Sequence, residues 1–311
     1  MITTLWLATL LLCLLMYVVL DGYDLGVGVA TLLERDPTHR QHLLESVAVA
    51  WDGNETWLIL LGVGLWAGFP LAFGTILPHA YLAVIVMLFA LVVRGVSVEM
   101  ASQSPPARHW TTAFGVASVV AAFAQGVTVG IVVSGVFGWF CVLTGITVTA
   151  TYTALGYANT KRRSSGRLRV TAAKRGAVTT LAATGLSLAV LLAAPLNLAG
   201  PGRAFAFYGL LLFAAAGVAT VLVTFRRETA TDILPFGGLV VAVVSVVLAI
   251  GVARYPVLMP GLTVDNTAGP HNTMVFILVG IGLNMPLVLA YNVFAHRAFA
   301  GDREQSTVEG Q

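Results

Sequence analysis

Residues 3–32, TTLWLATLLLCLLMYVVLDGYDLGVGVATL, decide the fold. From Thr3 to Leu20 the stretch is apolar apart from three threonines, and it stays apolar and glycine-rich to Leu32 except where Asp21 and Asp24 interrupt it. A helix needs roughly 20 apolar residues to cross the ~30 Å hydrocarbon core of a bilayer, so this stretch predicts a spanning helix with two acids inside it. The segment that follows, WDGNETWL at 51–58, repeats the arrangement with Asp52 and Glu55. An ionisable side chain within a span is costly unless it faces a protein interior or a water-filled path. Four of them in two successive segments point to the handling of protons, ions or a polar ligand within the membrane.

The rest of the chain fits the same solvent. Of 311 residues 58% are hydrophobic and only 10% charged, and the mean hydropathy is +0.88, which leaves too little polar surface for a soluble globule. The fold class expected is an all-α polytopic membrane protein. A formal net charge of +3 does not indicate nucleic acid, because the basic residues lie between apolar segments, where membrane orientation accounts for them. Cys13 and Cys141 each lie within an apolar run, so neither a disulfide framework nor a paired-cysteine metal site is expected. The first charge is Asp21 and the first basic residue Arg35, with no small-residue cleavage site, so the first segment is expected to be a retained helix rather than a signal peptide.

About nine segments are long enough to span, near 3–32, 47–68, 76–98, 111–133, 136–158, 175–195, 204–225, 233–253 and 273–295. With the N-terminus outside, only Arg203 and Arg254 of the 17 Lys and Arg residues fall on the outer side. An excess of cations on the cytoplasmic side is the usual arrangement, and it supports an odd helix number with a cytoplasmic C-terminus. The organisation expected is an N-terminal helical half (1–158) carrying the acidic motifs, a basic cytoplasmic loop (159–175, with KRRSSGRLR at its core), a C-terminal helical half (176–300) and a polar tail (301–311). No second copy of either acidic motif appears in the later half.

In this orientation Asp21 and Asp24 lie in the cytoplasmic half of the first helix, and Asp52 and Glu55 lie near the cytoplasmic start of the second. The four therefore share a depth. The i,i+3 spacing is expected to put both carboxyls of each pair on one helix face, and Gly22, Gly26 and Gly28 let a neighbouring backbone come close. Arg94 and Glu99, at the inner end of the third helix, join the same layer, while Tyr23, Asn54, Thr56 and Gln125 offer further hydroxyl or amide links. Two readings stand side by side: a satisfied buried network that fixes helix packing, and a route or site used by protons.

Trp51, Trp57 and Trp66 share a helix with Asp52 and Glu55. They read as interface and packing aromatics, or, at Trp51 and Trp57, as a wall against which a quinone or lipid tail lies. His39, His42, His109 and His296 fall in cytoplasmic loops or ends, His79 at an outer helix edge and His271 in the last outer loop. With no histidine at mid-membrane, a haem held by two axial histidines within this chain is not expected, and no metal site is expected either. Met16 and Met87 read as core residues. The outer loop YPVLMPGLTVDNTAGPHN (255–272) reads as a connector or as a docking surface.

DGYDLGVG at 21–28, WDGNETWL at 51–58, Phe69-Pro70, Arg94-Gly95-Val96 followed by Glu99, and Tyr255-Pro256 through Met259-Pro260 resemble subunit II of the cytochrome bd-type quinol oxidases. The short loops resemble the compact, cyanide-insensitive branch. Arg94-Gly95 and Glu99 stand where the commoner form of that family has Arg-Pro and an aspartate.

The resemblance implies nine spanning helices in two four-helix bundles plus one more, and a heterodimer with subunit I. That partner would carry haem b and haem d, or haem b alone, and oxidise quinol, with O2 reduced to water. It also implies a bacterial cytoplasmic-membrane location, small accessory subunits in some complexes, and a structural quinone in some second subunits. This chain would hold no catalytic residue of its own. Asp52 matches the family's channel acid, and Glu55, Asp21, Asp24, Glu99 and Arg94 would share the proton path. The alternative from a different class is a stand-alone proton- or cation-coupled transporter, whose acids would bind the coupling ion.

Overall fold

The computed structural model describes residues 2–103, 108–225 and 233–280, together with 287 and 290. Its helices, in chain order, are α1 (Ile2–Leu33), α2 (Pro37–Glu45), α3 (Trp51–Gly68), α4 (Pro70–His79), α5 (Tyr81–Gln103), α6 (Arg108–Ser134), α7 (Trp139–Arg163), α8 (Gly166–Ala193), α9 (Pro201–Phe225) and α10 (Ile233–Arg254). A hairpin of β1 (Val257–Met259) and β2 (Leu262–Thr263) follows, then α11 (Val264–Thr267) and α12 (His271–Gly280). Among the described residues seven helices are long and apolar enough to cross a membrane: α1, α5, α6, α7, α8, α9 and α10.

The nine segments expected from hydropathy meet this architecture with differences. The second is α3, only 18 residues long, and its first two turns hold Asp52, Asn54 and Glu55, so its apolar part is short. It stops at Gly68 because Pro70 lacks the N–H a continuing helix needs; Phe69 takes φ −135°, ψ 64°, and α4 starts afresh with Pro70 in its first turn. The ninth begins as α12, and most of its expected length lies outside the described residues. So do Arg226, Arg227, His296, Arg297, Arg303 and the polar tail.

The stretch 159–175, expected as a loop, is helical except at Ser164 and Ser165. Lys161, Arg162 and Arg163 form the last turn of α7, where cations complement the unpaired carbonyls of a helix C-terminus, and Lys161 Nζ donates to Thr224 O at 3.0 Å. The reversal into α8 is made at Gly166, whose φ of +56° only glycine adopts freely.

Helix α1 sits centrally, packed against α3, α6 and α7. Two glycines permit the closest crossing: a Cβ on Gly26 of α1 or on Gly156 of α7 would overlap the other helix's backbone. Lipid tails are as apolar as leucine, so spanning helices associate by such close approach rather than by a hydrophobic drive. Helix α7 continues the packing to α8 and α10, and α9 pairs with α10.

The end of the bundle holding Trp6 and Phe69 is closed by the chain itself. Pro260 and Gly261 (φ +85°) make the two-residue turn of the hairpin, and α11 is held by a capping box between Thr263 and Asn266. Gly269 N–H donates to Gly68 O at 2.8 Å, and Leu258, Leu262, Val264 and Met274 pack with Trp6 and Phe69. The loop expected as a connector or docking surface is therefore partly a lid on its own helices. The β-hairpin was not foreseen in an all-α reading, because three-residue strands between prolines leave no alternating pattern to detect. At the other end Asp36 caps α2, accepting from the N–H groups of Thr38 (2.9 Å) and His39 (3.4 Å), which holds its carboxyl below the usual range.

Candidate functional site

Three helices converge at Arg94. It lies on α5, fully buried, and its guanidinium is divided between two carboxylates on two other helices: Nη1 donates to Asp21 Oδ1 of α1 at 2.5 Å, and Nη2 to Glu55 Oε2 of α3 at 2.9 Å. The planar fork of arginine suits this division, since its N–H groups point in fixed directions. Trp51 covers the guanidinium, with the Arg94 Cζ 5.5 Å from its ring centroid, and the ring rests on Gly95, where a Cβ would collide with it.

One turn further in on α1, Asp24 is equally buried and bonds elsewhere. Asn54 Nδ2 of α3 donates to Asp24 Oδ2 at 2.8 Å and approaches Tyr23 Oη at 3.2 Å and Leu20 O at 3.4 Å. An amide NH2 has two protons, so these three acceptors share two donors. Asp21 Oδ2, Asp24 Oδ1, Asn54 Oδ1 and Arg94 Nε are buried and make no hydrogen bond to another protein group among the described residues. Three carboxyl groups thus share a layer with one guanidinium, which pairs with two of them.

The expected layer is thus assembled in part. Asp21, Asp24, Glu55 and Arg94 come together, joined by Asn54 and Tyr23. Asp52 and Glu99 do not join them: both are exposed on this chain, and Glu99 accepts from its own helix, from Gln103 Nε2 at 2.7 Å. The expectation that Asp52 and Glu55 share one buried face is corrected, because residues three apart differ by about 60° around a helix and the edge of the buried face runs between them. Thr56 is also exposed and bonds Asp52 O of its own helix.

Trp51 and Trp57 do not form one aromatic wall. Trp57 is fully buried against Cys13 and Tyr17, whereas Trp51 stands on Gly95, six positions away and on another side of α3. Sequence reasoning passed over Tyr17 and Tyr152, both buried beside Asp21, the first one turn away on α1 and the second with its ring against Gly22. The i,i+4 spacing of Tyr17 to Asp21 was the available signal. Gln125 joins from α6, donating through Nε2 to Tyr17 Oη at 2.5 Å.

The exposed acids stand on two ordered stripes. On α3 the exposed positions Asp52, Thr56, Ile59, Val63 and Trp66 alternate spacings of four and three, and on α5 so do Leu82, Ile85, Phe89, Val92, Val96 and Glu99, flanked by the also exposed Tyr81, Val86 and Leu88. That is the heptad pattern of helices that pack along a seam. Each stripe is apolar over most of its length and ends in an acid, Asp52 at the start of α3 and Glu99 near the end of α5.

Among the described residues no histidine is buried: His39 and His42 lie on α2, and His79, His109 and His271 at helix ends. No three His, Cys, Asp or Glu side chains gather as a metal-binding group among them either.

A family model for cytochrome bd terminal oxidase subunit II matches residues 2–299. Over 124 residues, 39% of this chain and 33% of the relative, the sequence is 34% identical to cytochrome bd-I ubiquinol oxidase subunit 2 of Escherichia coli (strain K12). Over 114 residues, 35% of this chain and 33% of the relative, it is 32% identical to cytochrome bd ubiquinol oxidase subunit 2 of Bacillus subtilis (strain 168). The matched part spans about a third of the length of these curated relatives. In fold the chain is similar to a chain of the bd oxidase from Geobacillus thermodenitrificans, with a TM-score of 0.80 at 13% identity, covering 96% of this chain and 98% of that one.

Proposed function

The chain belongs to the cytochrome bd terminal oxidase subunit II family, and from that premise we propose that it is the haem-free membrane subunit of a complex that oxidises quinol and reduces O2 to water. In this reading it sits in the bacterial cytoplasmic membrane with nine spanning helices, four in each of two bundles and one more, its N-terminus outside and its C-terminus inside. Its share of the work is to seat subunit I and to pass protons from the cytoplasm toward the oxygen chemistry there. The cluster of Asp21, Asp24 and Glu55 around Arg94 is the observation that carries this reading. A layer with three carboxyl groups and one guanidinium holds more acids than the cation can neutralise, so it exchanges protons more readily than a balanced ion pair, and its place near the inner ends of α1 and α3 suits entry from the cytoplasm.

The stripes on α3 and α5 support the partner. An exposed carboxyl at the end of an otherwise apolar membrane face is costly against lipid and acceptable against protein. Seated there, subunit I would cover Asp52 and Glu99 and make them part of a path at the joint of the two subunits. Haem b and haem d, or haem b alone, belong in this reading to subunit I. The described residues do not suit haem ligation within the membrane, since none of their histidines is buried. A stand-alone transporter is less well supported, because the acids lie toward one end of their helices rather than flanking a midplane break.

The test is co-expression of this chain with its subunit I. The purified complex is expected to show haem absorbance and quinol-dependent oxygen consumption, and this chain purified alone neither. Asp52→Asn is expected to slow oxygen consumption at least tenfold with the haem spectrum unchanged. Stoichiometric haem on the isolated chain would contradict the division of labour.

A further inference from the structure

Tyr17 lies at the middle of α1, about 6 Å outward of Asp21 at the usual helical rise. Its hydroxyl oxygen already accepts from Gln125 Nε2, so its proton is available to another group, and the charged side chain one turn along its own helix is Asp21, four residues on. Asp21 Oδ2 makes no hydrogen bond of full geometry to a protein group among the described residues. On the other side of Tyr17 the same incompleteness recurs with both signs: Gln125 Oε1 is a buried acceptor and Trp57 Nε1 a buried donor, each without a protein partner. Trp57 packs in one cluster with Tyr17 and Cys13, and the exposures of Trp57, Tyr17 and Gln125 are 0%, 3% and 5%.

A buried polar group without a protein partner is normally met by an ordered water making two to four hydrogen bonds. One water beside Asp21 Oδ2, within reach of Tyr17 Oη, meets that requirement. A second, accepting from Trp57 Nε1 and donating to Gln125 Oε1, meets it beside Tyr17. Trp6 supplies the contrast within the same molecule, because it is equally buried but its indole N–H is used, donating to Gly64 O at 3.1 Å.

We propose that Tyr17, Gln125 and Trp57 enclose a relay of ordered water that extends the acidic layer from Asp21 to the middle of the membrane within this subunit's own helices. Tyr17 is the relaying group: its hydroxyl takes a proton from the water beside Asp21 and gives its own to the water on the Gln125 side, so proton and charge balance at each step. Gln125 and Trp57 are positioning residues, holding that second water by one acceptor and one donor. The relay rests on the proton-handling role proposed above for Asp21, and it adds a branch separate from the exposed Asp52.

Brief X-ray hydroxyl-radical labelling of the intact complex in H2¹⁸O tests it, because a buried aromatic is labelled only where water lies against it. Trp57 and Tyr17 are expected to take up label at least fivefold faster than Trp6, and Gln125→Leu to bring Trp57 down to the Trp6 rate. Labelling of Trp57 no faster than Trp6 in the unaltered complex would overturn the relay, whether or not any variant assembles. In turnover, Tyr17→Phe is expected to slow oxygen consumption at least threefold and to change its H2O/D2O ratio with the haem spectrum intact. If Asp52→Asn slows turnover while Tyr17→Phe leaves both rate and isotope ratio unchanged, the relay is refuted and the wider function stands. Asp52→Asn without effect refutes the Asp52 path and leaves the labelling result to decide the relay.

Discussion

Arg94 and Asp21 meet fully buried, 73 positions apart in the chain, and the same guanidinium also reaches Glu55. One side chain of α5 thereby fixes the relative heights of α1, α3 and α5. Removing one partner of a buried ion pair leaves the other charge uncompensated, which costs about 3–5 kcal/mol. Arg94→Gln is therefore expected to lower the thermal midpoint of the purified complex and its yield, and Asp21→Asn with Arg94→Gln to recover part of the loss. Thermal unfolding followed by the haem band reads this, and equal midpoints for Arg94→Gln and the parent would remove the pair from the account.

Gly26 and Gly156 cross backbone to backbone. Gly26→Leu is expected to prevent α1 from seating on α7 and to abolish accumulation of the protein. Gly74, on α4 with open space around its Cα, serves as the control: Gly74→Leu is expected to accumulate normally. Quantitative immunoblotting of membranes distinguishes the two.

The seam on α3 and α5 makes a claim about assembly. Phe89 and Val92 are exposed, 70% and 63%, at its centre. Val92→Arg, or Phe89→Arg, is expected to cut recovery of subunit I with this chain at least tenfold while the chain itself still inserts. Affinity purification through a tag on this chain, read by haem absorbance, checks it; undiminished haem would place the partner elsewhere.

Asp36 gives a pH dependence with a defined sign. Its carboxyl is held below the usual range by the N–H groups it accepts from, so its capping of α2 is complete above the ordinary carboxylate range and is lost as pH falls through the lowered value. Hydrogen exchange at the amides of Thr38 and His39 is expected to speed up with acidification, after correction for intrinsic exchange. Asp36→Asn, a good cap that does not titrate, should remove that pH dependence, and Asp36→Ala should leave both amides unprotected throughout.

The sequence made the membrane class and the acidic layer legible because each rests on a local signal, an apolar run of spanning length with carboxyls inside it. Arg94 was placed in the layer by depth alone, and the structure supplies its partners. Which acids turn inward was not legible: Asp52 and Glu55 differ by about 60° around α3, and only the packing of α1 and α5 decides that one is enclosed and the other is left on the outer face. The break at Phe69 was visible in Pro70, but the helical run through Lys161–Arg163 was hidden, since a basic, polar stretch reads as a loop when its contacts lie on another helix, here Thr224. Tyr17 and Tyr152 escaped notice because a tyrosine in an apolar helix looks like packing until a carboxylate is found beside it.

The central claim is that the buried carboxyls beside Arg94 pass protons taken from the cytoplasmic side. It is tested most directly by the rate of proton uptake into the reconstituted complex during a single turnover with O2, followed by a pH-sensitive dye on the cytoplasmic face, for the parent and for Asp24→Asn. Asparagine keeps the shape of the site and the contact with Asn54 while removing the titrating group. At least a tenfold slower uptake with an unaltered haem spectrum is the result predicted; uptake at the parent rate in that variant and in Asp21→Asn would contradict it.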